Sequence, residues 1–373
     1  MSMCKEKMSK ETRIRRIEAF LISVPLKKTW EISLYRTETR NHAVVEVETE
    51  SGVVGYGEVS PAPAFMGEDG RFIVDIINHL LAPPLMGMDA FDLEALHQRM
   101  DRTLHGNGAA KAAIDIAFHD LLGKILNLPT FELLGGKVRE EVPLSWVVGM
   151  QTPEGGVEEA KYYLEKGIKT IKVKIGGDPE KDLYKIRLLR EKLGEHFQLR
   201  VDANQGYRPD QAIKILRQME AFHLESIEQP VPAYDIDGMR QVAEALDTPV
   251  MADESVFSLQ DAFRVISCRA ADIINIKVGK VGGLLPAKKI AAIAQSANIP
   301  CTIGTNLELG VGTSASLHFG LSTPNILYPC DLAIGPFLHQ EEIIEPTFEL
   351  LNGKIEPLKG PGLGIQLRKD FKR

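Results

Sequence analysis

Two lysines lie two positions apart in the segment KTIKVKIGG, at Lys172 and Lys174. The alternating β-branched and apolar residues around them predict a buried strand. Because side chains alternate across a strand, both ammonium groups point to the same side. Lysine is almost never fully buried without a compensating charge, so this pattern predicts anionic partners elsewhere in the chain.

Three carboxylates meet that requirement, and each stands at the end of a predicted strand. Asp202 ends the strand in LRVDANQG, Glu228 the strand in ESIEQP, and Asp253 the strand in TPVMADES. Three carboxylates share a small, dry volume only if a cation neutralises them. Ligation by oxygen alone, without histidine or cysteine, is typical of a hard divalent ion, so the pattern predicts Mg²⁺, with Mn²⁺ as the other candidate.

A third lysine, Lys277 in DIINIKVG, is predicted to lie on the opposite flank of these carboxylates from Lys174. A neighbouring ammonium and a divalent cation favour the neutral form of Lys174, which suits it to act as a base. The chemistry indicated is removal of a proton from the carbon next to a carboxylate, through an enediolate, with the second lysine able to return a proton from the other face. The alternative is a structural cluster of lysines and acids, which is costly to bury without a function.

The elements that position these residues repeat along the chain. From about Pro143, short β-branched runs alternate with amphipathic helical patterns, which is typical of βαβ units and a parallel sheet. Successive strand ends lie 24 to 28 residues apart, and they are Val147, Lys174, Asp202, Glu228, Asp253, Lys277, Thr305 and Asp331. Eight such units predict an α/β fold of the (β/α)8 TIM-barrel type, with its active site at the carboxyl ends of the strands.

We predict three parts in the chain. Residues 1–135 form an N-terminal α+β domain, because β-rich runs are followed there by three helical patterns, and residues 1–12 are a flexible tail. Residues 136–340 form the barrel with the metal and catalytic site. Residues 341–373 form a C-terminal segment that packs back toward the first domain.

Composition excludes several classes of protein. The chain has 373 residues and a formal net charge of −7 without a basic stripe, which argues against a nucleic-acid partner. We expect no membrane association, because no apolar run approaches the length of a membrane span. The four cysteines are far apart and form no CxxC pair, which favours reduced thiols in a cytoplasmic protein.

Six motifs resemble, in order and spacing, those of the enolase superfamily, within it the mandelate racemase and muconate lactonizing enzyme family, and specifically the muconate lactonizing enzyme (muconate cycloisomerase) subgroup. They are KVKIG, DANQGY, IEQPVP, MADES, INIKVGKVGG and CDLAIGP. The resemblance extends from about Arg13 to PGLGIQL near the C-terminus, so it covers nearly the whole chain. It implies that the N-terminal α+β domain caps the mouth of the barrel and supplies specificity.

The resemblance also implies a role for each residue of the predicted site. Lys174 and Lys277 would be the acid/base pair, and Lys172 would help to neutralise the substrate carboxylate. The metal ligands would be Asp202, Glu228 and Asp253.

Substrate-binding candidates come from the capping loops and from the last two strands. The loops around residues 30–40 and around SPAPAFMGED would close over the substrate, with Phe65 and Met66 as contacts from the second loop. Thr305, Glu308 and Asp331 are the candidates from strands seven and eight.

The motifs leave the reaction open among those of the subgroup. TNLELGVGTSASLH and the Gly-Pro after Asp331 favour cycloisomerisation of a muconate-like dicarboxylate. FMGED resembles the epimerase pattern, so a racemase or epimerase of N-substituted amino acids or dipeptides is the alternative, although Ala333 replaces the second acid of the Asp-x-Asp that holds a free ammonium. A catalytically inactive barrel for binding or assembly is the alternative of another class. In every catalytic case we expect a Mg²⁺-dependent isomerase that acts on a small carboxylate substrate, in a homo-oligomer.

Overall fold

The protein is described by a computed structural model over residues 12–332 and 334–370. The predicted tail lies almost entirely outside the described residues, as do Ala333 and residues 371–373.

The N-terminal part is built on an antiparallel sheet of three strands in the order β1-β2-β3. They are β1 (Ile14–Glu31), β2 (Arg36–Thr49) and β3 (Val54–Val59). A long helix, Gly108–Leu126, packs on β3 so closely that a Cβ at Gly57 would lie 1.9 Å from the carbonyl oxygen of Ala113. Only glycine permits that approach, which fixes the helix against the sheet.

Further helical segments complete this domain and bury a core of their own against the sheet. They are Pro63–Met66, Gly70–Ile76, the π-helical turn Ile77–Leu81, Ala82–Leu85, Leu93–Thr103 and Thr130–Leu133. Sheet and helices therefore follow one another as the α+β pattern of the sequence predicts.

The remainder is a parallel sheet of seven strands in the order β10-β9-β8-β7-β6-β5-β4. The strands are β4 (Trp146–Val148), β5 (Thr170–Lys174), β6 (Gln198–Asp202), β7 (Leu224–Glu228), β8 (Val250–Ala252), β9 (Ile273–Ile276) and β10 (Cys301–Ile303). They alternate with Pro153–Glu165, Pro179–Leu193, Pro209–Met219, the 3-10 turn Glu220–Phe222, Ile236–Ala245, Leu259–Ser267, Leu284–Ser296, Gly310–Ser322 and Ile334–Leu338.

The eighth unit differs from the prediction. Isolated parallel bridges, Leu144 with Cys330 and Cys301 with Ile326, take the place of a full strand and connect β10 back to the start of the barrel. Proline interrupts this stretch at Pro329, and a residue without an N–H removes a donor from the ladder. The α/β barrel with its N-terminal cap is confirmed, with seven complete strands and a bridged eighth position.

The C-terminal residues return to the first domain. The strands β11 (Ile344–Glu345) and β12 (Gln366–Leu367) pair with each other. Leu363 N–H then donates to Asp120 Oδ1, 2.8 Å away on the long helix of the cap. The exact domain limits stay a prediction. No helix among the described residues is long and apolar enough to cross a membrane.

Candidate active site

Three buried acids stand side by side at the carboxyl ends of adjacent strands. Asp202 is the last residue of β6 and is the Cα partner of Glu228, the last residue of β7. Asp253 directly follows β8. Their exposed fractions are 0%, 1% and 0%. The parallel register therefore gathers the acids that the sequence placed at separate strand ends.

Two lysines lie on β5, beside the first of these acids. Lys174 Nζ donates to Asp202 Oδ2 at 2.5 Å and to Asn204 Oδ1 at 2.7 Å. Lys172 Nζ donates to Glu228 Oε2 at 2.9 Å and to Asp331 Oδ2 at 2.5 Å. Two lysines are tolerated in this buried strand because each ammonium has carboxylate partners.

The third lysine lies beyond the acids. Lys277 follows β9, and its Nζ donates to Asp253 Oδ2 at 2.6 Å. In the sheet order, β6, β7 and β8 stand between β5 and β9, so Lys174 and Lys277 flank the three acids from opposite sides.

Burial and neighbouring charges shift the pKa values of these acids in different directions. Burial raises the pKa of an acid, but the ammonium groups of Lys174 and Lys172 outweigh it at Asp202, and those of Lys277 and Lys280 outweigh it at Asp253, so both pKa values lie below their usual range. At Glu228, burial and the neighbouring Asp202 charge raise the pKa to about 7. Repulsion among the acids therefore persists at Glu228 although ammonium groups lie beside them.

The neighbouring carboxylates also shift the pKa values of the lysines. Burial lowers the pKa of a lysine, yet the carboxylates around Lys172 (Asp331 first among them) raise its pKa well above the usual range. Asp253 and Glu228 likewise overcome burial and raise the pKa of Lys277. The neighbouring carboxylates therefore hold these two lysines in their charged forms.

The donor chemistry at these strand ends fits a hard divalent cation. Two further buried oxygens here, Glu254 Oε2 and Asn275 Oδ1, have no hydrogen-bond partner. Burial and the charges of Asp253 and Asp202 raise the pKa of Glu254 to about 8. In the described part of the chain, no three His, Cys, Asp or Glu side chains form a group arranged to hold a metal ion. Lysine ammonium groups bind the carboxylate oxygens instead. The residues present therefore fit Mg²⁺ by type and charge, and the lysines would have to yield those oxygens to it.

A cavity of about 30 Å³ lies at this end of the barrel, beside the lysines that bind the acids. Lys172, Lys174 and Lys277 line its floor. The other lining residues are Trp30, Ile32, Tyr35, Phe65, Val147, Asn204, Thr305, Asn306, Leu307, Asp331 and Ile334. The cap thus supplies an aromatic and aliphatic wall, and the barrel supplies the charged groups.

The predicted substrate-binding residues are not all placed alike. Phe65, Thr305 and Asp331 line the cavity. Met66 lies next to it, with its sulfur 3.7 Å from Nδ2 of the cavity residue Asn306. Glu308 lies behind the wall.

Glu308 is occupied by its own loop. Its Oε2 accepts the hydroxyl of Thr305 at 2.6 Å and the N–H of Asn306 at 2.9 Å. This arrangement holds the loop after β10 in place. A direct contact of Glu308 with substrate remains a prediction.

Several residues at the site were missed by sequence reasoning. Lys280 is fully buried, and its Nζ donates to Asp253 Oδ1 at 2.6 Å. The sequence could have indicated Lys280, because it lies three residues after Lys277. The glycines around it instead favoured a loop. Asn204 lies two residues after Asp202, with the parity of an inward residue, and donates through Nδ2 to Glu254 at 3.0 Å.

Hydrogen bonds hold the first capping loop against the barrel. Ser33 Oγ donates to the carbonyl oxygens of Ala203 (3.0 Å) and Asn204 (2.8 Å), just beyond β6. Trp30 and Tyr35, on either side of Ser33, line the cavity. The loop around residues 30–40 therefore borders the cavity, and its closure over a substrate stays a prediction.

Comparison with protein families gives two matches that together span most of the chain. The model described as "Mandelate racemase / muconate lactonizing enzyme, N-terminal domain" matches residues 16–135. The model described as "Enolase C-terminal domain-like" matches residues 156–371.

Individual relatives divide between two reactions. The chain is 36% identical over 357 residues to the L-Ala-D/L-Glu epimerase of Bacillus subtilis, covering 95% of this chain and 96% of that protein. It is 34% identical over 362 residues to a chloromuconate cycloisomerase of Delftia acidovorans, covering 96% and 97%. Its fold matches the crystal structure of a dipeptide epimerase from Enterococcus faecalis, complexed with Mg and the dipeptide L-Leu-L-Tyr, with a TM-score of 0.91 and 34% identity over 95% of this chain and 99% of the other. All three relatives are isomerases by name.

Proposed function

Because the chain belongs to the mandelate racemase and muconate lactonizing enzyme family of the enolase superfamily, and is therefore an isomerase, we propose that it inverts the α-carbon of an N-substituted amino acid. The observation that carries this proposal is that two lysines on opposite flanks share a cavity whose described cap residues include no cation. Inversion needs a proton removed from one face and another returned to the opposite face, and two flanking lysines supply both.

We further propose that Asp202, Glu228 and Asp253 hold Mg²⁺ in this chain, as their oxygen-only donor set and the repulsion among their charges suggest. A relative of the same fold was crystallised with Mg and a dipeptide, whereas nothing in the comparisons supports Mn²⁺. The bound ion would supply electrostatic stabilisation of the negative charge that develops on the substrate carboxylate.

The chain's own residues perform the proton transfers. Lys172 stands next to the acids and is placed to pair with a substrate carboxylate. Lys174, as the amine, removes the α-proton, whose bonding electrons remain on the substrate, and becomes an ammonium. Lys277, as the ammonium, gives a proton to the opposite face of that carbon and becomes an amine. The cap wall excludes water from the carbon between the two lysines.

The lining of the cavity favours a substrate with one carboxylate and an apolar remainder. Apart from the three lysines, Asp331 is the only charged residue among the described residues that line the cavity. It already accepts from Lys172 and, at 2.7 Å, from the hydroxyl of Ser145. The remaining wall is aromatic, aliphatic or neutral.

Three cations of the cap, none of them in the described lining of the cavity, are engaged elsewhere. Lys27 donates to the carbonyl oxygen of Phe337 at 3.1 Å, and Lys28 pairs with Glu159. Arg40 is buried, and one of its nitrogens donates to the carbonyl oxygens of Ser60 (2.8 Å) and Asn306 (3.0 Å). A second carboxylate, as in a muconate, would find no cation among the described cap residues that line the cavity, whereas an apolar amino acid side chain fits the wall.

Cycloisomerisation of a muconate-like dicarboxylate is the second candidate. The segment after β10, the Gly-Pro after Asp331 and the 34% identity to a chloromuconate cycloisomerase favour it. It uses the same acids and lysines, so only the substrate distinguishes the two candidates.

The deciding experiment is proton NMR in D₂O with Mg²⁺. The enzyme is offered N-acetyl-leucine and alanyl-leucine, their counterparts with glutamate in place of leucine, and cis,cis-muconate. Loss of the leucine α-proton signal with appearance of the other stereoisomer is the expected result. Lactone signals from muconate would establish the second candidate, and preference for the glutamate compounds would refute the apolar specificity. A Mg²⁺-loaded enzyme that exchanges no carbon-bound proton would support the inactive barrel.

A further inference from the structure

The acid/base lysine Lys277 is covered by an aromatic ring that comes from the cap. Its Nζ lies 4.2 Å from the centre of the Phe65 ring. An ammonium over the face of an aromatic ring is attracted by the ring quadrupole, most strongly where water is excluded. Lys277 is only 5% exposed, so this contact lies in such an environment.

The ring belongs to a series of four side chains around Asp253, in which two packed aromatic rings lie between two lysines. Phe65 packs on Phe257, with 6.0 Å between ring centres. Lys280 Nζ lies 5.2 Å from the centre of the Phe257 ring, and both lysines donate to the two oxygens of Asp253. Of these four residues, Phe65 belongs to the N-terminal cap, and the other three belong to the barrel.

The turn that carries Phe65 is rigid for local reasons. The helix Pro63–Met66 begins with a proline, whose fixed φ suits the first helical position. It ends at Gly67, whose φ of 73° is the left-handed conformation that glycine adopts without strain, and Gly67 N–H donates to the carbonyl oxygen of Pro63.

The residue after this turn anchors it to the cap. The Glu68 carboxylate accepts the N–H groups of Ala109 (3.1 Å) and Ala110 (3.3 Å) at the start of the long cap helix. The ring is therefore presented to Lys277 at a fixed position.

The stem of Lys277 is equally confined. A Cβ at Gly304 would lie 2.6 Å from Cε of Lys277, so the lysine fills the space that glycine leaves open. The packing of the stem and the Phe65 ring hold Lys277 at the cavity that it lines, whether or not Asp253 accepts from its Nζ. Lys174, by contrast, is placed by hydrogen bonds to Asp202 and Asn204.

We propose that Phe65 is a positioning residue for Lys277, through which the cap controls proton delivery to one face of the substrate. The inference rests on the proposed function and assigns Phe65 a second role besides wall contact. For a substrate whose α-hydrogen faces Lys174, that lysine removes the proton. A proton then returns to the α-carbon from one of the two lysines. Return from Lys174 gives exchange with retention, and return from Lys277 gives inversion. Loss of the Phe65 ring is expected to lower the rate of proton return from Lys277, and therefore inversion, more than it lowers exchange with retention.

The test measures this partition in the Mg²⁺-loaded full-length protein. N-acetyl-L-leucine and N-acetyl-D-leucine, with L-Ala-L-Leu and L-Ala-D-Leu as a second pair, are incubated in D₂O, and NMR and chiral chromatography give deuterium uptake and inversion. Phe65→Leu is expected to lower the ratio of inversion to retentive exchange by about tenfold for one stereoisomer, the size of a cation–π contact at a desolvated site. Phe65→Tyr and Phe65→Trp, which keep an aromatic face, should restore the ratio.

The matched control is Phe72→Leu, since Phe72 is 52% exposed on the cap helix Gly70–Ile76 and is expected to leave the ratio unchanged. The ratio is independent of the amount of folded enzyme, and Phe65→Met replaces Phe65→Leu if circular dichroism shows that the latter is unfolded. A fall of both products by the same factor, or a change only in KM, would mean that Phe65 is a wall residue and would overturn the proposal. A wild-type enzyme inert toward every probe would instead refute the proposed function.

Discussion

A buried carboxyl group at the junction of cap and barrel provides a pH-dependent prediction. Glu58, on β3, accepts the N–H of Leu309 at 2.6 Å and of Gly312 at 2.9 Å, where the helix Gly310–Ser322 begins. Its Oε1 also lies 2.9 Å from Nδ1 of His42. Although these N–H groups oppose it, burial raises the pKa of Glu58 to about 7.

The hydrogen-bond chain beyond His42 gives an independent reason for a protonated Glu58. Nδ1 of His339 donates to the carbonyl oxygen of Gly335 at 2.7 Å, so its Nε2 accepts from Nε2 of His42 at 3.1 Å. Neutral His42 then carries its proton on Nε2, and its Nδ1 must accept from Glu58. Burial also lowers the pKa of His42 and takes that of His339 to about 3, so both rings stay neutral.

The size of the effect follows from linkage. A carboxyl group with a pKa of 4.5 when unfolded and about 7 when folded contributes stability that is present below pH 4.5 and lost as the pH rises through 7. The shift corresponds to a loss of about 3 kcal/mol. Other charged groups at this junction, Arg40, Glu308 and Glu342, remain in any variant of Glu58.

Glu58→Gln removes the ionisable group and keeps its shape. Because an amide cannot satisfy Leu309, Gly312 and His42 at once, the variant is expected to lose about 1–3 kcal/mol at pH 5. Equilibrium urea unfolding of variant and wild type at pH 5, 6, 7 and 8 should show this deficit shrinking as the pH rises, by up to about 3 kcal/mol. A deficit that stays constant between pH 5 and pH 8 would refute the assignment of a protonated Glu58.

Three further substitutions test the site and the domain junction. Lys174→Ala is expected to lower turnover at least about 10²-fold with circular dichroism and Mg²⁺ affinity close to wild type; an unfolded variant would mean that the lysine is structural. Asp253→Asn removes an anionic ligand and should weaken Mg²⁺ binding in calorimetry, so unchanged affinity would contradict the assigned metal site. Asp115→Asn weakens buried contacts with His97 (2.7 Å) and His119 (3.3 Å) and should lower the free energy of unfolding by about 3 kcal/mol. A loss below about 1 kcal/mol in urea would show that these contacts are dispensable.

The barrel was predictable because its information is local and periodic. A nearly constant repeat of strand and helix gives the fold class, and a parallel sheet brings all carboxyl ends to one edge, so strand-end residues such as Asp202 and Glu228 could be grouped without coordinates. The parity of Lys172 and Lys174 fixed their common side for the same reason. The eighth strand was the exception, because whether a proline-interrupted stretch pairs fully depends on both of its neighbours.

The sequence by itself therefore determined the family, the barrel and the gathering of acids and lysines at one edge. Tertiary structure alone decided which distant residues complete the site. Phe65 on Lys277 and Glu58 at the start of a barrel helix are contacts between the two domains, and no periodicity relates such residues. Tertiary structure also decided the charge of the cavity wall. Lys27 and Arg40 are cations of the cap, but in the fold they donate to carbonyl oxygens of the barrel. Local pattern records which face of its own element a residue occupies, whereas packing between elements sets what that residue meets.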